Sequence, residues 1–284
     1  MTVNEQSRSG EAVENPQTIL SETEATKISP DMIQKPNRSL VGLRRPRLGF
    51  QLTERERELL EFVLDQKFAG TSQLYYRFYQ NGASRSPRYA WERLSLLYKH
   101  GLLRAERVYT ERETYYQASG VTQRLLQGLN PNRLIQEPPE SIDLRFFEHD
   151  RRITWCRAVA EKSGKVREWR SERRLKQEFA QAQPDHRIAR EFMPDAIYRN
   201  HQGGQVALEL ELTPKTPERL AKKISQLVQA MRNPAPLFSR VLYVPCSRPI
   251  QERLENLTRP YGELFRVQFF SELVPQTVFS GGVS

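Results

Sequence analysis

Apolar residues recur at helical spacing from Leu52 onward and switch to alternation after Leu102, and that change of period divides the first part of the chain. Thr53 and Glu56 form a capping-box pair ahead of Leu59, Leu60 and Val63, which predicts a helix over 53–66. Thr71 as N-cap, with Leu74 and Phe78 on one face, predicts a short helix over 71–80 that Asn81-Gly82 ends. Ser86 followed by Pro87 opens a third helix, with Ala90, Leu94 and Leu97 inward and His100-Gly101 at its close. The run LLRAERVYTERETYYQAS alternates, is rich in Val, Tyr and Thr, and has a polar tip at Thr110-Glu111-Arg112, so it predicts a two-stranded hairpin. A closing helix fits 120–129, and the polar, proline-bearing stretch over 130–141 is expected to be a linker.

Beyond it, Asp143 to about Lys162 forms an amphipathic helical pattern whose Phe146, Phe147, Ile153, Trp155 and Val159 need a sheet to cover. Strands are predicted at 166–170, 196–199 and 205–212, the last two joined by Asn200-His201-Gln202-Gly203-Gly204. A helix over 217–231, a strand over 240–244, a short helix over 250–256 and a strand over 265–270 complete the chain. The order is αβββαβ followed by αβ, and the expected class is α+β or α/β.

Composition narrows the setting. The 284 residues carry 44 Lys plus Arg against 34 Asp plus Glu, a net charge of +10. It divides as +1 over 1–50, +4 over 51–135 and +5 over 136–284, so both prospective folded parts are basic and suit polyanionic partners. No run of apolar residues is long enough to span a bilayer, which argues against a membrane protein. No basic segment followed by an apolar one opens the chain, so a cytoplasmic location is expected. Cys156 and Cys246 lie far apart without CxxC spacing, which fits structural thiols. Residues 1–50 are rich in Ser, Thr, Glu, Asn and Pro and read as a disordered tail, with Arg44, Arg45 and Arg47 as a basic arm for phosphates.

Candidate chemistry concentrates in QVALELEL. Alternation assigns Val206, Leu208, Leu210 and Leu212 to one face and Ala207, Glu209, Glu211 and Thr213 to the other. Pairing of 196–199 with 205–212 through the intervening loop brings Asp195 toward Glu209 and Glu211, giving three carboxylates at one end of a sheet. Such a set suits a hard divalent cation such as Mg²⁺ beside a phosphodiester. The alternative is a salt-bridged sheet edge neutralised by Lys215, Lys222 and Lys223.

Three helices followed by a hairpin, over about 52–128, resemble winged helix-turn-helix modules. The order αβββαβ with Pro194-Asp195 and then Glu209-Leu210-Glu211 resembles the PD-(D/E)xK nuclease superfamily, or restriction-endonuclease-like fold. That likeness implies Asp195, Glu209 and Glu211 as metal ligands for Mg²⁺. It also implies a lysine two places after the second acid, where this sequence has Glu211; Lys215, or Lys222 and Lys223, are the candidates for a migrated lysine.

Together with Glu148-His149-Asp150 and Trp169-Arg170-Ser171-Glu172, the motifs resemble the replication-relaxation family of plasmids and integrative elements, over roughly 52–245. The family resemblance adds Asp150 and Glu172 as candidate acids. It also implies a DNA-binding accessory role in plasmid replication or conjugative mobilisation, with a relaxase or replication protein as partner. The divisions expected are a tail over 1–50, a winged-helix DNA-binding domain over 51–129, a linker over 130–141 and a nuclease-like domain over 142–284.

In such a module the helix opened by Ser86 enters the major groove. Arg85, Arg88, Tyr89 and Arg93 are its candidate contacts, with Arg88 suited to guanine and Ser86 and Tyr89 to phosphate, while Arg112 at the hairpin tip is placed for the minor groove. Two rival readings are an active Mg²⁺-dependent endonuclease and a transcriptional regulator whose second domain forms a homodimer.

Overall fold

The chain is described by a computed structural model over residues 51–80, 86–131, 133, 135–182 and 193–274. The expected tail and its basic arm, the Asn81-Gly82 stop and Arg85 lie outside the described residues.

Thr53 caps α1 (Glu54–Asp65) as its sequence predicts: its hydroxyl accepts from the Glu56 amide and Glu56 accepts from the Thr53 amide. A two-residue strand, β1 (Ala69–Gly70), leads into α2 (Thr71–Leu74), which continues as a π-helical turn over Tyr75–Tyr79 instead of the regular helix expected to 80. α3 (Pro87–Lys99) buries Ala90, Leu94 and Leu97, and Gly101, at φ +68°, takes the left-handed conformation that ends it. β2 (Leu103–Arg107) and β3 (Thr114–Ala118) form the predicted hairpin, with Arg107 opposite Thr114. β1 adds to β3, so the sheet has three strands in the order β1-β3-β2. Ser119 caps α4 (Gly120–Leu129).

α5 (Phe147–Lys162) precedes a five-stranded sheet of order β4-β5-β6-β7-β8, comprising β4 (Val166–Ser171), β5 (Ala196–Asn200), β6 (Gln205–Glu211), β7 (Arg240–Pro245) and β8 (Phe265–Val267). The first three strands pair antiparallel and the last three parallel. Each parallel step requires a crossover, supplied by α7 (Pro217–Met231) and α8 (Arg248–Thr258); α9 (Phe270–Leu273) closes the described chain. These elements make a mixed α+β protein. Among the described residues no helix is long and apolar enough to cross a membrane.

Besides the added β1 and the end of β8 at Val267, short of the 270 expected, two further features depart from the sequence reading. α6 (Glu172–Ala182) stands between β4 and β5, where the sequence reads as a solvated charge run. Its i,i+4 pairs Glu172–Lys176 and Arg174–Glu178 and the burial of Leu175 account for the helix. Phe146, expected inward, is 54% exposed, with the Arg145 guanidinium over its ring.

β6 is covered on both faces. Val206, Leu208 and Leu210 pack in one core with Ile153 and Cys156 of α5, while Ala207 packs in another with Leu220, Ile224 and Leu227 of α7. The first core continues into α1, α3 and α4, so the N-terminal helices share it with α5 and the large sheet.

Charged groups lock that contact. Arg157 of α5 pairs with Asp65 at the end of α1 (2.6 Å) and with Glu161 (2.7 Å), lies over the Phe62 ring, and is nearly buried. Arg77 reaches Glu161 at 2.9 Å, and the Ser171 hydroxyl donates to Asp65. The stretch expected as a linker is packed as well: Ile135 and Gln136 are buried, and Arg104 and Arg173 donate to carbonyls of Pro139, Glu140 and Glu137.

Removing one member of a buried ion pair leaves the other charge without compensation, at a typical cost of about 3 kcal/mol. Arg157→Ala is therefore expected to lower the urea-unfolding free energy by about 3 kcal/mol, whereas Arg88→Ala, on an exposed pair, changes it by less than about 0.5 kcal/mol. Equal effects of the two variants would show that the Arg157 pairs do not hold α1 to α5.

Candidate functional site

The antiparallel register Ala196↔Leu208 places Asp195 just past the end of the β5–β6 ladder. There its Oδ2 accepts from the Leu210 amide at 2.8 Å, taking up a backbone donor at the end of the ladder. The same oxygen lies 3.3 Å from His149 Nε2, and His149 Nδ1 lies 3.5 Å from Asp150. Asp150 also accepts from Lys67 at 2.7 Å. Lys67 follows α1 with φ +71°, a left-handed conformation uncommon for a side-chain-bearing residue.

Asp65, Lys67, His149, Asp150, Glu172 and Asp195 thus line one polar cleft between the end of α1, α5 and the start of α6, with a volume of about 20 Å³, room for roughly one water. The cleft joins Asp195 to the two acids expected on the family resemblance, Asp150 and Glu172. Glu172 is partnered by Lys176 at 2.5 Å.

Glu209 and Glu211 lie on the α7 face of β6, Glu209 at the position opposite Asp195 one step beyond Ala196↔Leu208, and both are buried. Thr216 caps α7, and Leu220, Ile224 and Leu227 turn its apolar stripe to the sheet. That orientation brings Lys223, beside the stripe, to 2.5 Å from Glu209 Oε2. Lys215, in the preceding loop, lies 2.6 Å from Glu211 Oε1. Lys222 is exposed. Of the two locations proposed for a migrated lysine, the strand end and α7 each supply one partner.

Tyr243 completes the cluster and was not among the expected residues. It pairs in register with Glu209 across the parallel β6–β7 step and is buried among the same side chains. Its hydroxyl and Glu209 Oε1 have no hydrogen-bond partner among the described residues. The alternation in VLYVP, read together with a parallel register, is the signal that would have found it.

Burial dominates the electrostatics. It pushes the Glu209 carboxyl upward, with the Asp195 carboxylate adding to the effect and the Lys223 ammonium opposing it. Burial alone would raise Asp195, yet the His149 hydrogen bond and charge, Lys223 and the Leu210 amide hold it below its ordinary value. For His149 burial opposes the charged form, but the bonds to Asp150 and Asp195 outweigh it and push the imidazole up to about 10.

In this arrangement one oxygen of each carboxylate already has a partner. Lys223 and Lys215 hold Glu209 Oε2 and Glu211 Oε1, Asp195 Oδ2 is taken by Leu210 and His149, and among the described residues no three His, Cys, Asp or Glu are grouped to ligate a metal.

The described residues nominated for DNA differ in exposure. Arg88 is 86% exposed at its side chain and pairs with Glu92 at 3.1 Å, and Ser86 and Arg112 are exposed. Tyr89 is half-buried against Tyr79. Arg93, expected at base edges, turns inward and pairs with Glu56 at 2.6 Å, tying α3 to the α1 capping box. The hairpin is anchored before its tip, where Val108 packs with Phe68, Tyr115, Ile142 and Phe147, while Tyr109, Thr110 and Arg112 are exposed. No protein-family model, curated protein or solved structure matches the chain.

The raised His149 value sets the sign of a pH effect. Its stabilisation is complete below the unfolded value near 6.5 and is lost as pH rises through about 10. The unfolding free energy is therefore expected to fall by more than about 1 kcal/mol between those limits, and His149→Gln should flatten that decline. An unchanged slope in the variant would remove His149 as its source.

Proposed function

We propose that this is a DNA-binding accessory protein, in which the three N-terminal helices and hairpin act as a winged helix and the five-stranded sheet is a PD-(D/E)xK-like fold with a degenerate site. The observation that carries the reading is the pairing of each buried β6 carboxylate with its own lysine, Glu209 with Lys223 and Glu211 with Lys215. An ammonium bound directly to a carboxylate supplies the positive charge that a metal would otherwise bring. The exposed Arg88, Lys99 and Arg112 of α3 and the hairpin, and the overall charge of +10, support DNA as the partner. The sequence motifs support the setting, replication or mobilisation of a mobile element alongside a relaxase or replication protein.

One observation favours a second reading, metal-dependent cleavage. Buried polar atoms are ordinarily satisfied, and the orphaned Glu209 Oε1, with the orphaned hydroxyl of its register partner Tyr243, leaves hydrogen-bonding capacity unused in the buried cluster.

Supercoiled plasmid incubated with the purified chain in Mg²⁺, Mn²⁺ or EDTA separates the two. The expected outcome is binding that weakens steeply with salt and no nicking in any metal. Nicking that needs metal and disappears in the double variant Asp195→Ala, Glu209→Ala would overturn the accessory reading in favour of a nuclease. Failure to bind DNA at low salt would overturn both.

A further inference from the structure

The outward face of α3 carries a chemistry that duplex readout does not use. With Ala90, Leu94 and Leu97 facing the core, Trp91 and Tyr98 stand in solvent at 56% and 52% exposure, although both are large enough to bury. They lie seven residues apart, two helical turns, and so share one face with their rings about 10 Å apart along the axis. Three steps of a nucleic-acid strand at 3.4 Å also cover about 10 Å. Arg88 and Lys99 are exposed near the two ends of the helix, roughly a quarter-turn around it from the rings, with long side chains that reach along the same surface. The Arg88–Glu92 pair is exposed, so exchanging Glu92 for a phosphate costs little.

In a duplex the base faces are covered by their neighbours and only edges reach the groove. An indole offers those edges one N–H and a phenol one hydroxyl, neither of them a bidentate pattern. Arg93, which would have read edges, is committed to Glu56. Flat aromatic faces flanked by cations are instead the means by which proteins hold unpaired strands.

We infer that α3 binds single-stranded DNA, with Trp91 and Tyr98 stacking on bases about three nucleotides apart and Arg88 and Lys99 meeting the flanking phosphates. The inference rests on the DNA-binding reading above and specifies its substrate as unpaired strand, such as that exposed at an opened replication or transfer origin.

Trp91 supplies its own reporter. The other two tryptophans, Trp155 and Trp169, are buried at 1% and 4% exposure, so accessible indole emission belongs to Trp91. The full chain would be titrated with an oligothymidylate of about 12 nucleotides and with a duplex of the same length at one salt concentration. The single strand is expected to quench Trp91 and to bind roughly tenfold tighter than the duplex, with Trp91→Ala and Tyr98→Ala each weakening it about tenfold and Trp91→Phe retaining most of the affinity. Both rings stand clear of the core, so these variants leave the packing of Leu94 and Leu97 in place.

Duplex binding that is equal or tighter, with the alanine variants unchanged, would overturn this inference while leaving the DNA-binding reading intact. Absence of binding to either polymer would overturn both. A homodimer dissolved by Trp91→Ala would assign the face to a second copy of the chain and overturn the inference.

Discussion

β6 is buried on both faces, and the placement of charge around it follows from that constraint. A central strand with one solvated face can carry glutamates at alternate positions without compensation. Here the alternate positions face the α7 and α8 layer, so Glu209 and Glu211 sit where a lone carboxylate is strongly disfavoured. Lys223 and Lys215 answer them individually. α7 must therefore present a lysine beside its apolar stripe, and its Thr216 cap and Pro217 start set the phase that does so.

Asp195 links this layer to the opposite side of the sheet. Its carboxylate ends the β5–β6 ladder at Leu210 and meets His149 of α5, which in turn meets Asp150 and, through it, Lys67 behind α1. Together with Arg157 and Asp65, this chain of contacts makes the seam between the N-terminal helices and the sheet a charged contact over an apolar base. Buried ion pairs add less net stability than the same volume of apolar packing, but they penalise misalignment strongly. The seam is thus better suited to fixing one relative placement of α1 and α5 than to adding stability.

Much of the architecture was legible because local signals agreed with tertiary demand. The capping box at Thr53, the Ser86-Pro87 start of α3, the alternation of β2 and β3 and the helix expected over 217–231 each describe the element that forms. α6 was hidden because its charged surface masks a stripe in which Leu175 is the buried residue. Alternation correctly separated Glu209 from Leu208, but it does not state whether the second face is wet, and that depended on where α7 docks. The pairing of Arg93 with Glu56 was illegible for a related reason. Counting turns along α3 does not show that Glu56, already used by the α1 cap, also has a free oxygen pointing at it.

The fate of Arg93 connects the fold to the proposed function. A helix that inserts into a groove needs its cations on the outer face, yet α3 spends one of them on its own docking to α1 and another partly on Glu92. What remains outward combines two large aromatic rings, Trp91 and Tyr98, with the exposed cations Arg88 and Lys99. In the sheet the strand carboxylates have been balanced by lysines that reduce their reach toward a metal. Both features support the proposed reading, in which the chain holds nucleic acid by stacking and charge, over its duplex-reading and cleaving rivals.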